Sequence, residues 1–251
     1  RSEHCPWDSE TCSEAAAGGH LDILQWARDH GCDWNGATCS SAAYWGHLDI
    51  LQWARSENCP WDRKTCSNAS MSGHLGILRW ARAHGCPWDD TTCAYAASRG
   101  HLGVLRWARE NGAKWTALTT LCAASGGQVE VLQWVVDQGC PWHHRAFEDA
   151  IRNGHVHAVE WMLARGFRLP WNAGSMAAAH GHLHILEWLQ STRLFWVKTS
   201  ICECAAEGGH LGVLKWAREN DYIWDSATCK KASSQGHLGV LQWARANGCP
   251  W

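Results

Sequence analysis

The sequence predicts an all-α fold, an α-solenoid of about nine helix-turn-helix repeats, and three observations lead there. One unit recurs at a fixed step, each copy carries apolar residues at helical spacing, and glycines punctuate most copies twice. The step is set by one tryptophan per copy: Trp26, Trp53, Trp80, Trp107, Trp134, Trp161, Trp188, Trp216 and Trp243 lie 27 residues apart, with a single step of 28. A second series runs Trp7, Trp34, Trp61, Trp88, Trp115, Trp142, Trp171, Trp196, Trp224 and Trp251, and only Trp45 belongs to neither. Gly-His pairs keep the same register at His20, His47, His74, His101, His155, His182, His210 and His237, with Gln128 in the fifth copy. A period between 20 and 50 residues is the mark of a stacked array.

Within a copy, two short helices are expected. Asp8, Asp62 and Asp225 stand three residues before Thr11, Thr65 and Thr228, where a side-chain oxygen can accept from the free N–H groups of a helix start. The first helix then runs from about Thr11 to Ala17. Gly19 and its copies suit the left-handed turn that closes it, a region that costs a Cβ dearly. Leu21, Ile23, Leu24, Trp26 and Ala27 form the apolar stripe of the second helix, which Gly31, Gly85, Gly112, Gly139, Gly166 or Gly248 stops. Helices this short are marginal in isolation, so neighbouring copies have to bury them.

The motif T-x-x-x-A-A-x-x-G-H-L-x-x-L, as in Thr11 to Leu24, Thr38 to Leu51, Thr65 to Leu78 and Thr92 to Leu105, resembles the helical half of the ankyrin repeat. The resemblance covers essentially the whole chain and implies an ankyrin-like solenoid. Two departures shape the expectation. The unit is about six residues shorter than the ankyrin period of about 33, which implies β-hairpins that are shortened or absent, and the family's T-P-L-H motif is missing: Cys12, Ser13 and Glu14 follow Thr11. Short, Trp-rich arrays of this kind resemble repeat proteins abundant in unicellular algae and giant viruses.

Copies five to eight drift from the pattern, with two residues added between Trp161 and Trp171 and two lost before His182. Insertions of this size belong in loops. No Gly/Ser-rich or Pro-rich linker interrupts the chain, so residues 1–251 are expected to form a single solenoid. Both termini fall inside inter-repeat loops, which is the expectation for a window of a longer array, or for an array whose ends partners cover.

Composition narrows function. With 22 Lys and Arg against 24 Asp and Glu, the chain has no basic field for a phosphate backbone, and nucleic acid is not expected as a partner. No apolar run approaches the roughly 20 residues of a membrane span, and Arg1 to Asp8 shows no signal-peptide core, so direct membrane insertion is not expected either. The 14 cysteines contain no C-x-x-C pair. They are expected to be small buried thiols rather than disulfides or metal ligands, which favours a reducing compartment, the cytoplasm or the interior of a plastid or other organelle. The histidines are expected to hydrogen-bond the backbone of the neighbouring unit rather than to bind metal. The paired tryptophan series is expected as core stacked along the array. Arg28, Arg55, Arg82, Arg109, Arg218 and Arg245 follow the helix tryptophan, suiting an ion-pair or cation–π ladder. No constellation that occurs once joins a nucleophile to a base, so the chain is expected to be no enzyme and to need no cofactor.

Function is therefore sought in the columns that vary while the scaffold repeats. These are first-helix pairs such as Ser13/Glu14, Ser40/Ser41, Ser67/Asn68, Ala94/Tyr95 and Lys230/Lys231, and the turn residues Tyr44/Trp45, Met71/Ser72 and Ser98/Arg99. By resemblance to ankyrin arrays they face the concave side. The candidate contact residues are Glu14, Ser41, Tyr44, Trp45, Asn68, Met71, Tyr95, Arg99, Lys230 and Lys231. The expected partner is one or more proteins, and the alternative role is a linker subunit embedded in a large multi-protein assembly. A holder of a cofactor or metal is a third, weaker alternative.

Overall fold

The computed structural model describes residues 8–192 and 200–250; Cys5, Trp7, Leu194, Trp196 and Trp251 of the repeating columns lie outside the described residues. Among the described residues there are eighteen α-helices and no strand. Two compact units are distinguished, one of Arg1–Ala123 with Glu130–His143, the other of Ala124–Val129 with His144–Trp251.

In the first unit, first helices α1 (Ser9–Ala17), α3 (Gly36–Trp45), α5 (Arg63–Met71) and α7 (Asp90–Ser98) alternate with second helices α2 (Leu21–Asp29), α4 (Leu48–Ser56), α6 (Leu75–Ala83) and α8 (Leu102–Glu110). Then come α9 (Ala117–Ser125), whose last two residues belong to the second unit, and α10 (Val129–Asp137). The second unit continues with α11 (Ala146–Arg152), α12 (Val156–Ala164), α13 (Ala173–Ala179), α14 (Leu183–Ser191), α15 (Ile201–Glu207), α16 (Leu211–Glu219), α17 (Ser226–Ser234) and α18 (Leu238–Ala246). First helices pack side by side, α1 on α3 on α5 on α7 and α11 on α13 on α15 on α17, and each folds against its own second helix.

The first helix begins two residues earlier than the threonine pattern suggests. Asp8 is the N-cap and its Oδ1 accepts from the N–H of Glu10 at 2.9 Å; Asp62, Asp89 and Asp225 do the same for Lys64, Thr91 and Ala227. In copies six to eight, where the pattern drifts, the N-caps are Arg145, Asn172 and Ser200, which make no capping bond. There the first helix shortens to 7 residues. The two-residue insertion is absorbed before α13, and Trp171 is left 82% exposed.

The core is built from Leu24, Ile50, Leu51, Leu78, Leu105 and Leu132 of the second helices in the first unit, with Ile151, Met162, Ile185, Leu186, Leu189 and Ile201 in the second. Ala16, Ala42, Ala69 and Ala96 are fully buried where first helices touch, and their small size lets backbones approach closely. The tryptophan columns, expected in the core, are placed otherwise. Apart from the buried Trp216, the described members are half-buried or exposed. The physical reason is that the loop tryptophan sits between two surface partners. Arg28 lies over the Trp34 ring at 4.3 Å, and Trp34 meets Trp53 of the next copy edge-on at 5.6 Å. Arg55/Trp61/Trp80, Arg82/Trp88/Trp107, Arg109/Trp115/Trp134 and Arg218/Trp224/Trp243 repeat the arrangement. The cation–π half of the expected ladder is thus present.

The histidine column joins copies directly. His47 Nε2–H donates to the carbonyl of Ala17 at 3.1 Å, His74 to Tyr44 at 3.1 Å and His101 to Met71 at 3.1 Å. His155, His182, His210 and His237 donate in the same way to Ser125, Arg152, Ala179 and Glu207. Each acceptor lies in the last turn or at the end of the preceding first helix, where carbonyls have no intrahelical partner. The ring lies on the turn glycine of that preceding copy. A Cβ on Gly46, whose φ is +92°, would stand 2.8 Å from His74 Cε1.

Two glycines separate the contact from the backbone conformation. Gly31 has φ +82° but nothing within 4 Å of an added Cβ. Gly31→Ala is expected to lower stability by about 1 to 2 kcal/mol, the cost of a left-handed residue with a Cβ. Gly46→Ala is expected to cost about 1 kcal/mol more, because the His74 bond is lost as well. Urea unfolding of both variants checks this, and equal losses would mean that the ring exerts no hold.

Candidate protein-binding face

First helices carry the candidate residues because their opposite sides are taken by α-helical neighbours. In each Ser-led pair the first member turns inward. Ser13, Ser40 and Ser67 are buried, and each hydroxyl donates to a backbone carbonyl three residues back. Only the second member of each pair, Glu14, Ser41 and Asn68, reaches the surface, Glu14 fully and the other two in part.

In the first unit the structure brings Glu14 on α1, Ser41, Tyr44 and Trp45 on α3, Asn68 and Met71 on α5, and Tyr95 with Arg99 at α7 onto successive packed helices. Trp45 is 59% exposed and Tyr95 36%. The Tyr44 and Trp45 rings meet edge to face at 5.3 Å and 77°. Their backbone is held from both sides: the Tyr44 carbonyl accepts from His74, and Gly46 behind them occupies the left-handed turn. Met71 is half-buried, and its carbonyl is engaged by His101. Asn68 spends its amide across the helix pair, donating to the Ser40 carbonyl at 3.1 Å. Lys230 and Lys231 stand in the second unit on α17, with Lys230 exposed. Lys231 is paired with Glu207 at 2.9 Å, which holds its ammonium above the usual lysine range.

Sequence reasoning missed a second recurring feature, the clefts beside the tryptophan pairs. Gln25, Arg28, Asp29, Trp34, Trp53 and Glu57 line one of them, and the matching positions of α8/α10 and α16/α18 line two more. The signal was present as the arginine column, but which way the loop folds back over it decides whether a cleft forms.

Metal binding finds no support in the histidine column, since the Nε2 atoms are spent on carbonyls. Among the described residues, no group of three or more His, Cys, Asp and Glu side chains is placed to hold a metal ion. Among them, too, no helix is long and apolar enough to cross a membrane.

The repeated helix pair, the αL glycine turn and the tie from each histidine to the preceding copy define a helical tandem-repeat protein. Residues 93–136 match the family model for ankyrin repeats (many copies). That segment is a stretch of the same unit that recurs throughout the chain. No curated protein matches. Among solved structures, the chain is similar to the human ASB11 ankyrin repeat domain at 16% identity, covering 62% of this chain and 84% of that one, with a TM-score of 0.49. Ankyrin repeats generally mediate protein–protein interaction.

One histidine has a resolved electrostatic signature. Burial holds His182 below the usual histidine range, and the neighbouring His184, His180 and His210 push it the same way against its bond to Arg152. His180 and His184 lie with ring centroids 6.4 Å and 5.8 Å from His182. A base whose folded pKa is depressed binds its proton more readily when unfolded. Its contribution is therefore present above the unfolded value of about 6.5 and is lost as pH falls below it. Thermal melts are expected to show the second unit weakening between pH 7 and 5.5, and His182→Gln, the residue already used at Gln128, is expected to flatten that slope.

Proposed function

We propose that the chain is a non-enzymatic scaffold that presents the exposed row of its first helices to a protein partner, as one array over residues 1–251. The observation that carries this is the Tyr44/Trp45 pair: two aromatic side chains, one of them 59% exposed, on a backbone fixed by a bond from the neighbouring copy. Exposed aromatics on rigid backbone lose little entropy on docking and dominate binding energy in many interfaces. Glu14, Ser41, Asn68, Met71, Tyr95 and Arg99 of the same unit add mixed polarity, and in the second unit Lys230 and Lys231 carry positive charge on a first helix.

A linker subunit in a large assembly is the second reading. It is favoured by exposed apolar side chains on second helices, Ile23 at 49%, Trp26 at 53% and Leu238 at 63%. Sedimentation of the purified chain separates the two: a monodisperse monomer supports the free scaffold, and self-association through these helices supports the linker.

Pull-down from native extract with identification by mass spectrometry supplies the partner, whose affinity is then measured with purified proteins. The triple variant Tyr44→Ala, Trp45→Ala, Tyr95→Ala is expected to bind at least about 30-fold more weakly, the loss of one strong hot spot. Its far-UV circular dichroism is expected to stay unchanged, and undiminished affinity would refute the assignment of this face.

A further inference from the structure

Four cysteine pairs recur inside single copies with the same separation of 20 residues: Cys12/Cys32, Cys39/Cys59, Cys66/Cys86 and Cys229/Cys249. In each, one member sits in the first helix and the other just after the second helix, at the open end of the helical hairpin. All eight side chains are buried. The Cys12 and Cys32 sulfurs are 3.5 Å apart, the Cys66 thiol reaches the Cys86 carbonyl at 3.9 Å, and the Cys39/Cys59 and Cys229/Cys249 pairs occupy the same two buried positions of their copies.

We propose that these four pairs are dithiol–disulfide switches, closed by an oxidant of the disulfide class such as glutathione disulfide, and that each closure staples the hairpin containing it.

The surroundings tolerate the closed state. The thiols of Cys32, Cys59, Cys86 and Cys249 donate to the carbonyls of the N-cap residues Asp8, Asn35, Asp62 and Asp225 at 3.2 to 3.5 Å. Those carbonyls also accept the backbone N–H of Thr11, Thr38, Thr65 and Thr228 at 3.1 Å. Losing the S–H donor therefore leaves no orphaned acceptor in the interior. A disulfide is also uncharged, whereas a metal thiolate would leave charge in a dry site.

Two of the pairs are chemically asymmetric in the same sense. The interaction between the two thiols, with burial behind it, pushes Cys39 up and draws Cys59 down; Cys66 and Cys86 behave alike. The more acidic member is the attacking thiolate. On local opening of the hairpin, the Cys59 sulfur attacks glutathione disulfide, its S–S bond breaks and one glutathione thiolate leaves and takes up a proton. The Cys39 sulfur then gives up its proton and displaces the second glutathione from the mixed disulfide. Two protein thiols are oxidised and one glutathione disulfide is reduced to two glutathiones.

Other copies provide internal controls. Cys93 faces a position held by Ala113, Cys140 one held by Thr120 and Cys202 one held by Tyr222, so these thiols have no partner of this kind at the matching position.

The test uses the full chain, held folded in a glutathione redox buffer and, separately, refolded in it, then alkylated and mapped without reduction. Four crosslinks at the 20-residue spacing are expected, with Cys93, Cys140 and Cys202 alkylated. The oxidised chain is expected to unfold at higher urea than the reduced one, by constraint of the unfolded state. Cys59→Ala, which places at this position the residue the fourth copy already has, is expected to lose only the Cys39/Cys59 link and leave Cys39 alkylated. Thiols that stay alkylated in both arms, crosslinks joining different copies, or an oxidised chain that unfolds no later than the reduced one would each overturn the proposal.

Discussion

Seven copies of this array are each closed by the next one, through a histidine that donates to the free carbonyls at the end of the preceding first helix. A nine-residue helix is too short to persist in water, and its terminal carbonyls are the groups most exposed to being left unpaired. The ring supplies the missing donor and covers the turn at once. That contact explains why the turn keeps glycine: a left-handed backbone admits one, and the space a Cβ would need is already filled by the incoming imidazole. Because the bond uses only a backbone acceptor, the side chain at the acceptor position is free to be Ala17, Tyr44, Met71 or Glu207.

That freedom bears on the proposed binding face. Tyr44 contributes its carbonyl to the histidine tie and its half-buried ring to an edge-to-face pair with the exposed Trp45. Variation in the first helices therefore changes the surface without loosening the joint beneath it. At the other end of the second helix, arginine does comparable work. It donates to the carbonyl of the loop residue four positions on and stacks on the loop tryptophan, as Arg109 does at Ala113 and Trp115. This fixes the short loop between successive copies.

Interior columns obey volume first. The two positions that hold cysteine pairs in four copies hold Phe147 and Phe167 in the sixth, and Cys202 with Tyr222 in the eighth. In the first copy, where both are cysteine, space-filling also brings two sulfurs to 3.5 Å, and chemistry becomes available that a Cys/Ala or Phe/Phe pair lacks.

Periodicity alone determined the repeat, the helix pair, the turn glycines and the inter-copy role of histidine, because each follows from local spacing and from backbone rules that hold in any context. It also singled out Trp45, since an aromatic at that turn position breaks the pattern of its column. Three matters were decided only in three dimensions. Asp8 caps N–H groups two and three residues on, so the first helix starts earlier than a threonine-based boundary places it. Ser40 and Ser41 are adjacent in sequence, yet one is buried and the other surfaces, because helix phase against a neighbour sets which one faces in. The tryptophans lie at the surface edge of the core, since an indole goes where the returning loop and the arginine meet it, and that meeting joins residues from successive copies rather than from one stretch of chain.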